Sequence, residues 1–225
     1  MSKFNVLITE DHTLIRFGLK AALQTKDYIG KIFEAADAPT ALDIVQKERI
    51  DAVIMDLGLP GMNGIEATEK IKKINPNISI IILTSHKTQE EVINSVKAGA
   101  SAYCSKEIEP DNLALILYSV LNGAIWFDPS VSQYILDIIK SGKQKSAIQK
   151  DTDYNLTKRE HQVLTYLTEG FNNTEIAKKL HLSINTVKAH VSSIMQKLEV
   201  DDRTQAAVKA ISNNITVSYT HLTLP

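Results

Sequence analysis

Residues 52–64 read AVIMDLGLPGMNG, an uninterrupted apolar run that ends in an aspartate and passes into a turn rich in glycine and proline. A short apolar run bounded by turn residues is typical of a strand buried on both faces of a sheet. Around this segment, the first 120 residues alternate short apolar runs with amphipathic stretches. The alternation predicts a parallel sheet with helices on both faces.

The predicted sheet has five strands, which are Phe4–Thr9, Ile32–Ala35, Ala52–Met55, Ile78–Leu83 and Ala102–Cys104. Between and after them, apolar residues recur at helical spacing within 14–23, 41–45, 65–71, 89–98 and 111–122. Five strands alternating with five helices indicate an α/β flavodoxin-like, doubly wound domain with strand order 2-1-3-4-5.

The rest of the chain has a different pattern, and a length of 225 residues leaves room for a second domain. The periodicity decays after residue 137 into polar residues typical of a linker. Four helical segments follow, at Lys158–Thr168, Asn173–Lys179, Ile184–Lys197 and Thr204–Ala210. We therefore predict an α/β domain at 1–125, a linker at 126–153, an all-α four-helix domain at 154–216 and a non-native tail at 217–225, where VSYTHLTLP resembles a translated sequencing adaptor.

Composition excludes several classes of protein. No window approaches the roughly 18 apolar residues of a membrane span, and the N-terminus lacks the pattern of a signal peptide, so we expect a cytoplasmic protein without a membrane partner. The single cysteine, Cys104, excludes a disulfide framework and a thiolate zinc site. Residues 155–225 carry 8 basic and 6 acidic side chains, which is compatible with nucleic acid but is no evidence for it.

Acidic residues follow two of the predicted strands. Functional sites in such sheets lie at the carboxyl ends of the strands, at the point where the strand order reverses. Here that point is between the first and third strands. Glu10 and Asp11 follow the first strand and Asp56 follows the third, so three carboxylates are expected in one crevice. Their mutual repulsion is relieved by a cation, and carboxylate oxygens suit Mg²⁺ with a phosphate ligand.

Two further polar residues are expected on the same rim. Thr84 ends the fourth strand and supplies a hydroxyl for a phosphoryl oxygen, while Lys106 follows the fifth and can pair with Asp56 or its phosphoryl group. Each residue alone has an ordinary alternative, since Glu10 or Asp11 could cap the next helix and a lone surface charge is usually only solvated. The complete set favours a phosphoryl-transfer site.

These residues resemble the receiver domain of two-component response regulators over about the first 125 residues. The resemblance rests on Glu10-Asp11, Asp56 within MDLGLPGMNG, Thr84 within ILTSH, and Lys106 after Tyr103. It implies that Asp56 accepts a phosphoryl group from the phosphohistidine of a sensor histidine kinase, and that the protein catalyses only its own phosphotransfer and autodephosphorylation. It also implies a Mg²⁺ site formed by Glu10, Asp11, Asp56 and the Gly58 carbonyl, and a switch pair formed by Thr84 and Tyr103.

The sequence departs from the receiver pattern at one position and leaves another property open. Glu107 stands where many receivers have a proline, so the sequence does not decide whether the bond between Lys106 and Glu107 is cis, as it is in those receivers. Gly58 and His86 occupy positions that modulate dephosphorylation in the family, which leaves the phosphoryl lifetime open.

The second domain has the pattern of a helix-turn-helix. Thr157 and Glu160 form a capping box at its first helix, and a short turn at 181–183 joins two later helices. The alternative is a small helical bundle that binds a protein. The segments LTKRE and GFNNTEIAKKLHLSINTVKAHVSSIMQKLEVDDRTQAAVKA resemble the LuxR-type effector of NarL/FixJ regulators.

The second resemblance implies a dimer that binds double-stranded DNA, with the helix at about 185–197 in the major groove and Thr204–Ala210 as the dimer helix. Its expected DNA-facing residues are Asn185, Thr186, Lys188, Ala189, His190 and Ser192. His190 has two interpretations, a phosphate contact or a packing histidine. Together the two resemblances imply that phosphorylation controls dimerisation and promoter binding, with RNA polymerase as a further candidate partner.

Two other classes of function fit less well. A phosphatase of the haloacid-dehalogenase type needs a second aspartate two residues after the nucleophile, where this chain has Gly58, which cannot transfer a proton. A P-loop nucleotide binder needs GxxxxGK[ST], which is absent from the sequence. A receiver that serves as a docking module without phosphorylation remains an open alternative.

Overall fold

A computed structural model of the protein describes residues 3–85, 88–128, 131, 134, 154–213 and 215. The chain divides into two compact units, Met1–Ser132 and Gln133–Pro225. The predicted tail at 217–225, most of the predicted linker at 126–153 and the side chain of His86 lie outside the described residues.

The first unit contains a parallel sheet with the order β2-β1-β3-β4-β5-β6. Its strands are β1 (Phe4–Thr9), β2 (Ile29–Ala35), β3 (Ala52–Met55), β4 (Ser79–Thr84), β5 (Ala102–Ser105) and β6 (Trp126–Phe127). The predicted flavodoxin-like order is confirmed, and the sixth strand extends it. Trp126 and Phe127, which the sequence placed in the linker, pair with Ala102 and Tyr103 of β5 instead.

Five helices connect the strands: α1 (Thr13–Gln24), α2 (Ala38–Lys47), α3 (Gly64–Ile74), α4 (Gln89–Lys97) and α5 (Pro110–Leu121). Side-chain oxygens of Asp37, Asn63 and Thr88 accept backbone hydrogen bonds at the starts of α2, α3 and α4, which satisfies otherwise unpaired N–H groups. All four residues of β3 are buried, as expected for a central strand covered on both faces.

Backbone geometry answers the question left open at Glu107. None of the described residues follows a cis peptide bond, so the bond between Lys106 and Glu107 is trans. Within the same described ranges, no helix has the length and apolar character needed to cross a membrane.

The second unit consists of α6 (Lys158–Thr168), α7 (Asn173–Leu180), α8 (Ile184–Lys197) and α9 (Arg203–Ser212). The predicted capping box of Thr157 and Glu160 is present at the start of α6. The turn from α7 to α8 passes through His181, which has a left-handed backbone with φ of 53°. Apolar side chains from all four helices form one core, including Val163, Leu164, Ile176, Val187, Ile194, Ala206 and Ala210. The predicted helical class of this domain is therefore confirmed.

Candidate functional site

Backbone hydrogen bonds bring the predicted site residues to one rim of the sheet. The N–H of Asp56 donates to the carbonyl of Thr9 (3.0 Å), and the N–H of Lys106 donates to the carbonyl of Thr84 (3.0 Å). The N–H of Glu10 donates to the last carbonyl of β2 (3.1 Å). Because these bonds continue the ladders of neighbouring parallel strands, the side chains that follow the strands share one edge.

The ammonium of Lys106 joins two buried carboxylates. Its Nζ lies 3.0 Å from Oδ2 of Asp56 and 2.8 Å from Oε2 of Glu10. Glu10 is only 1% exposed and Asp56 only 4%. Burial disfavours the charge on Lys106, but its hydrogen bonds and charge interactions with the two carboxylates prevail and raise its pKa. The lysine therefore stays cationic and offsets the repulsion between the acids.

Asp11 lies beside a histidine that sequence reasoning did not select. Nδ1 of His12 is 2.7 Å from Oδ1 of Asp11 and 3.3 Å from Oε1 of Glu10. One possible ligand atom from each of these residues lies within 4.8 Å of the other two. Partial burial favours the neutral form of Asp11, but hydrogen bonding and charge interaction with His12 lower its pKa, and the same interactions raise the pKa of His12.

The structural alternative for the first acidic pair was a helix cap. His12 occupies the N-cap position of α1 and its side chain makes no capping hydrogen bond, while the N–H of His12 donates to Oε1 of Glu10 (3.3 Å). The Glu10 carboxylate thus contacts the start of α1 with one oxygen and Lys106 in the strand-end crevice with the other.

The two predicted switch residues lie inside the fold. Thr84 ends β4 and Tyr103 lies in the neighbouring strand β5, and each is 1% exposed. Burial raises the pKa of the Tyr103 hydroxyl, so the phenol is neutral. The loop at Gly58 passes close to the site, because a Cβ added there would lie 3.5 Å from Oδ2 of Asp56.

In the second unit, α8 presents most of the predicted DNA-facing residues to solvent. Val187 and Val191 of this helix are buried in the core. The exposed residues among the predicted set are Asn185, Thr186, Lys188, Ala189 and Ser192, whereas His190 is half-buried. Since the buried positions lie four residues apart, they mark the inner side of the helix, and the predicted contacts lie off that side.

Glu160 ties α8 to the start of α6. Its carboxylate accepts hydrogen bonds from Oγ of Ser193 (2.6 Å), from Nζ of Lys197 (2.7 Å) and from the N–H of Thr157 (2.7 Å). Burial acts to raise the pKa of Glu160, but these donors outweigh it and lower the pKa to about 2. The carboxylate thus both caps α6 and fixes the orientation of the exposed helix.

Two protein-family models match the two units. The model of the response regulator receiver domain matches residues 6–118, and the model of bacterial regulatory proteins of the luxR family matches residues 154–210. The chain belongs to the LuxR-family response regulators. It is a transcriptional regulator with a receiver and a DNA-binding domain, and not a metabolic enzyme.

Known proteins resemble the regulator over nearly its whole length. The uncharacterized transcriptional regulatory protein YhcZ of Bacillus subtilis (strain 168) is 39% identical over 210 residues, which cover 93% of this chain and 96% of that protein. The transcriptional regulatory protein DegU of Brevibacillus brevis is 33% identical over 223 residues, covering 94% of each chain. A structure of two RcsB dimers bound to two parallel DNAs is 27% identical, with a TM-score of 0.56 and coverage of 96% of this chain and 100% of that chain.

One side of the predicted dimer helix, α9, is buried in the core of the second unit. Thr204, Ala206, Ala207 and Ala210 of α9 are buried within the second unit. Other residues of this helix, among them Gln205, Val208 and Lys209, keep part of their surface exposed. The surface that α9 leaves exposed is therefore on the side of Gln205, Val208 and Lys209.

Glu160→Gln is expected to loosen α8 of the regulator at neutral pH. A hydrogen bond to a charged group contributes about 1.5 to 3 kcal/mol, so loss of the charge should lower the opening free energy of α8 by about 2 kcal/mol. Because the folded-state pKa of about 2 lies below the ordinary value of 4.5, the stabilisation is complete above about pH 4.5 and is lost as the pH falls through 2. Hydrogen exchange of α8 peptides, measured by mass spectrometry, should show the two proteins converging at low pH.

The matched control is Glu169→Gln, which neutralises an exposed carboxylate at the end of α6. We expect it to change α8 protection little at any pH. Equal α8 protection in wild type and Glu160→Gln at pH 6 would contradict the assigned role of Glu160.

Proposed function

We propose that this response regulator accepts a phosphoryl group on Asp56 from the phosphohistidine of a sensor histidine kinase. An oxygen of the Asp56 carboxylate bonds to phosphorus while the phosphorus–nitrogen bond breaks, and its electron pair returns to the imidazole. The observation that carries the proposal is the ion pair of Asp56 with Lys106 at 3.0 Å, at the end of a buried strand and beside a second buried acid. Lys106 is thereby placed to pair with the phosphoryl group that Asp56 acquires.

The donor set at this rim fits Mg²⁺. Carboxylate oxygens are the ligands that this hard cation prefers, and Glu10 and Asp11 supply them within one cluster. Glu10, Asp11, Asp56 and the carbonyl of Gly58 would hold the ion. When bound, Mg²⁺ supplies positive charge that stabilises the transferring phosphoryl oxygens.

Thr84 and Tyr103 form the proposed switch. The Thr84 hydroxyl donates a hydrogen bond to the phosphoryl oxygen, and the Tyr103 ring follows into the space that Thr84 leaves. The buried positions of both residues on neighbouring strands support this pairing. The same site releases the phosphoryl group to water, so the only reactions of the regulator are its own phosphotransfer and autodephosphorylation.

The output proposed for this switch is dimerisation and binding of promoter double-stranded DNA. The exposed residues of α8 enter the major groove, and α9 supplies the dimer contact. The similarity to RcsB, which forms dimers bound to DNA, supports this part of the proposal. RNA polymerase is the further partner that a promoter-bound regulator would meet.

The proposal is tested by treating the full-length protein with acetyl phosphate and Mg²⁺. Intact-mass measurement is expected to show one phosphoryl adduct, and peptide mapping should place it on Asp56. Light scattering and duplex titration of the same sample should show more dimer and tighter binding to selected promoter DNA than in untreated protein. An adduct on another residue, or unchanged assembly and affinity, would overturn it.

Lys188→Ala is expected to weaken DNA binding, because this exposed cation lies among the predicted DNA-facing residues of α8. Loss of a phosphate contact should lower the salt slope of log K by about one, whereas loss of a base contact should cost about 1 to 3 kcal/mol and relax sequence preference. Titration of specific and random duplexes across a salt series separates these results. Lys47→Ala, an exposed lysine of α2, controls for the change in net charge, and wild-type affinity of Lys188→Ala for both duplexes would refute the contact.

A further inference from the structure

The loop between β1 and α1 is held by a guanidinium from the helix that follows it. Nη1 of Arg16 donates to the carbonyl of Glu10 (2.6 Å) and lies 3.3 Å from the carbonyl of Asp11. These carbonyls belong to the two residues whose side chains form the acidic cluster. The Arg16 side chain is only 16% exposed, so the contact is formed largely away from solvent.

The other side of this guanidinium faces β2. Nε of Arg16 lies 3.7 Å from Oε2 of Glu34, and Glu34 also accepts a hydrogen bond from Lys20. Glu34 lies opposite Ile8 in the register of β1 and β2. The guanidinium therefore links the loop to a residue whose backbone is fixed in the sheet.

The loop carries two neighbouring acidic side chains, and hydrogen bonds from two directions hold its backbone. The sheet supplies one support, because the N–H of Glu10 donates to the last carbonyl of β2. Arg16 supplies support on the carbonyl side. A planar guanidinium can bond to the carbonyls and the Glu34 carboxylate together, whereas the single ammonium of a lysine lacks that fork.

We infer that Arg16 is a positioning residue for the metal site, acting through the loop carbonyls and held in turn by Glu34. This inference rests on the proposed function, because it takes Glu10 and Asp11, whose loop Arg16 holds, to be Mg²⁺ ligands. Groups that support metal ligands typically change metal affinity about 10- to 100-fold when they are removed. Arg16→Ala should therefore weaken Mg²⁺ binding about 10-fold or more.

Three further variants separate this role from a general structural one. Arg16→Lys keeps the charge but loses the fork, and it should restore only a small part of the affinity. Glu34→Gln leaves the loop contacts intact but removes the charge that holds Arg16, so it should weaken Mg²⁺ binding less than Arg16→Ala does. Lys20→Ala removes the other cation on Glu34 and, as the matched control, should bind Mg²⁺ like wild type.

The experiment is isothermal titration of Mg²⁺ into each full-length protein, with phosphoryl uptake from acetyl phosphate measured across Mg²⁺ concentrations. Weakened binding in Arg16→Ala, together with recovery of uptake at saturating Mg²⁺, supports the inference. Wild-type Mg²⁺ affinity in Arg16→Ala overturns it, even where the unfolding midpoint has fallen. If Arg16→Ala does not fold, the Mg²⁺ affinities of Arg16→Lys and Glu34→Gln test the inference instead. Wild-type Mg²⁺ affinity in both variants overturns the inference.

Failure of the proposed function and failure of the role of Arg16 give different results in this experiment. Absence of both Mg²⁺ binding and phosphoryl uptake in the wild type would remove the proposed function itself. Normal wild-type behaviour combined with unchanged Arg16 variants would leave the proposed function in place and remove only the role of Arg16.

Discussion

Asp56→Asn is expected to abolish the phosphoryl adduct that acetyl phosphate and Mg²⁺ form on the wild-type regulator. The amide has nearly the shape of the carboxylate but lacks its nucleophilic charge, so the bond to phosphorus cannot form. The substitution also removes one of the two carboxylates that contact Lys106, while the contact with Glu10 remains. The fold should therefore persist while the chemistry is lost, and intact-mass measurement after incubation is the direct readout.

Asp43→Asn is the control for this experiment. Asp43 is an exposed aspartate of α2 that pairs with Lys47 and does not follow a strand. Its adduct should match the wild type in yield. An adduct of equal yield on Asp56→Asn would show that another residue accepts the phosphoryl group.

Gly64→Ala is expected to destabilise the receiver by about 3 kcal/mol, near the upper end of the usual cost of overpacking. A Cβ at this position would lie 2.1 Å from the carbonyl oxygen of Asp56 and 2.9 Å from Cα of Leu57. Both atoms belong to the backbone of the segment that carries the Asp56 side chain. The N–H of Gly64 also donates to the carbonyl of Leu57 (3.2 Å), which holds the start of α3 against this segment. The strain can be relieved only by moving α3 or the segment that carries Asp56.

Urea unfolding monitored by circular dichroism measures this cost, and phosphoryl uptake should fall in parallel. Gly18→Ala is the matched control, because a Cβ there meets no other atom within 4 Å and the residue lies inside α1. Alanine at a compatible helical site should stabilise the protein by about 0.4 to 1 kcal/mol. Equal stability of Gly64→Ala and wild type would mean that α3 can shift without cost.

Much of the sheet could be predicted from the sequence because its signal is local. Strands such as Ala52–Met55 are continuous apolar runs, and their alternation with helices predicts a parallel sheet. The count of five strands and five helices then indicated the flavodoxin-like order. β6 was missed, since a strand of two residues is too short to show any periodicity. Its pairing with β5 depends on where the chain returns after α5, which only the packed domain determines.

The candidate site shows the same division. The placement of Glu10, Asp56 and Lys106 at one edge of the sheet could be predicted, because each follows a strand and the carboxyl ends of parallel strands share one edge. The ion pair between Lys106 and Glu10 was not predicted. His12 was missed, although its place in the chain beside Asp11 was a usable signal. Glu160 was assigned only its local capping role, which the spacing to Thr157 reveals.

By itself, the sequence determined the five main strands, the helices and the residues that reach the rim. Only the tertiary structure decided which long-range partners those residues have. Glu10 contacts Lys106 across 96 positions of the chain, and Glu160 contacts Lys197 across 37. The link from Arg16 to Glu34 likewise joins a helix to a strand. Such contacts depend on how each helix and strand-end loop is placed against its neighbours, and that is set by packing of the whole core, which no local spacing of residues encodes.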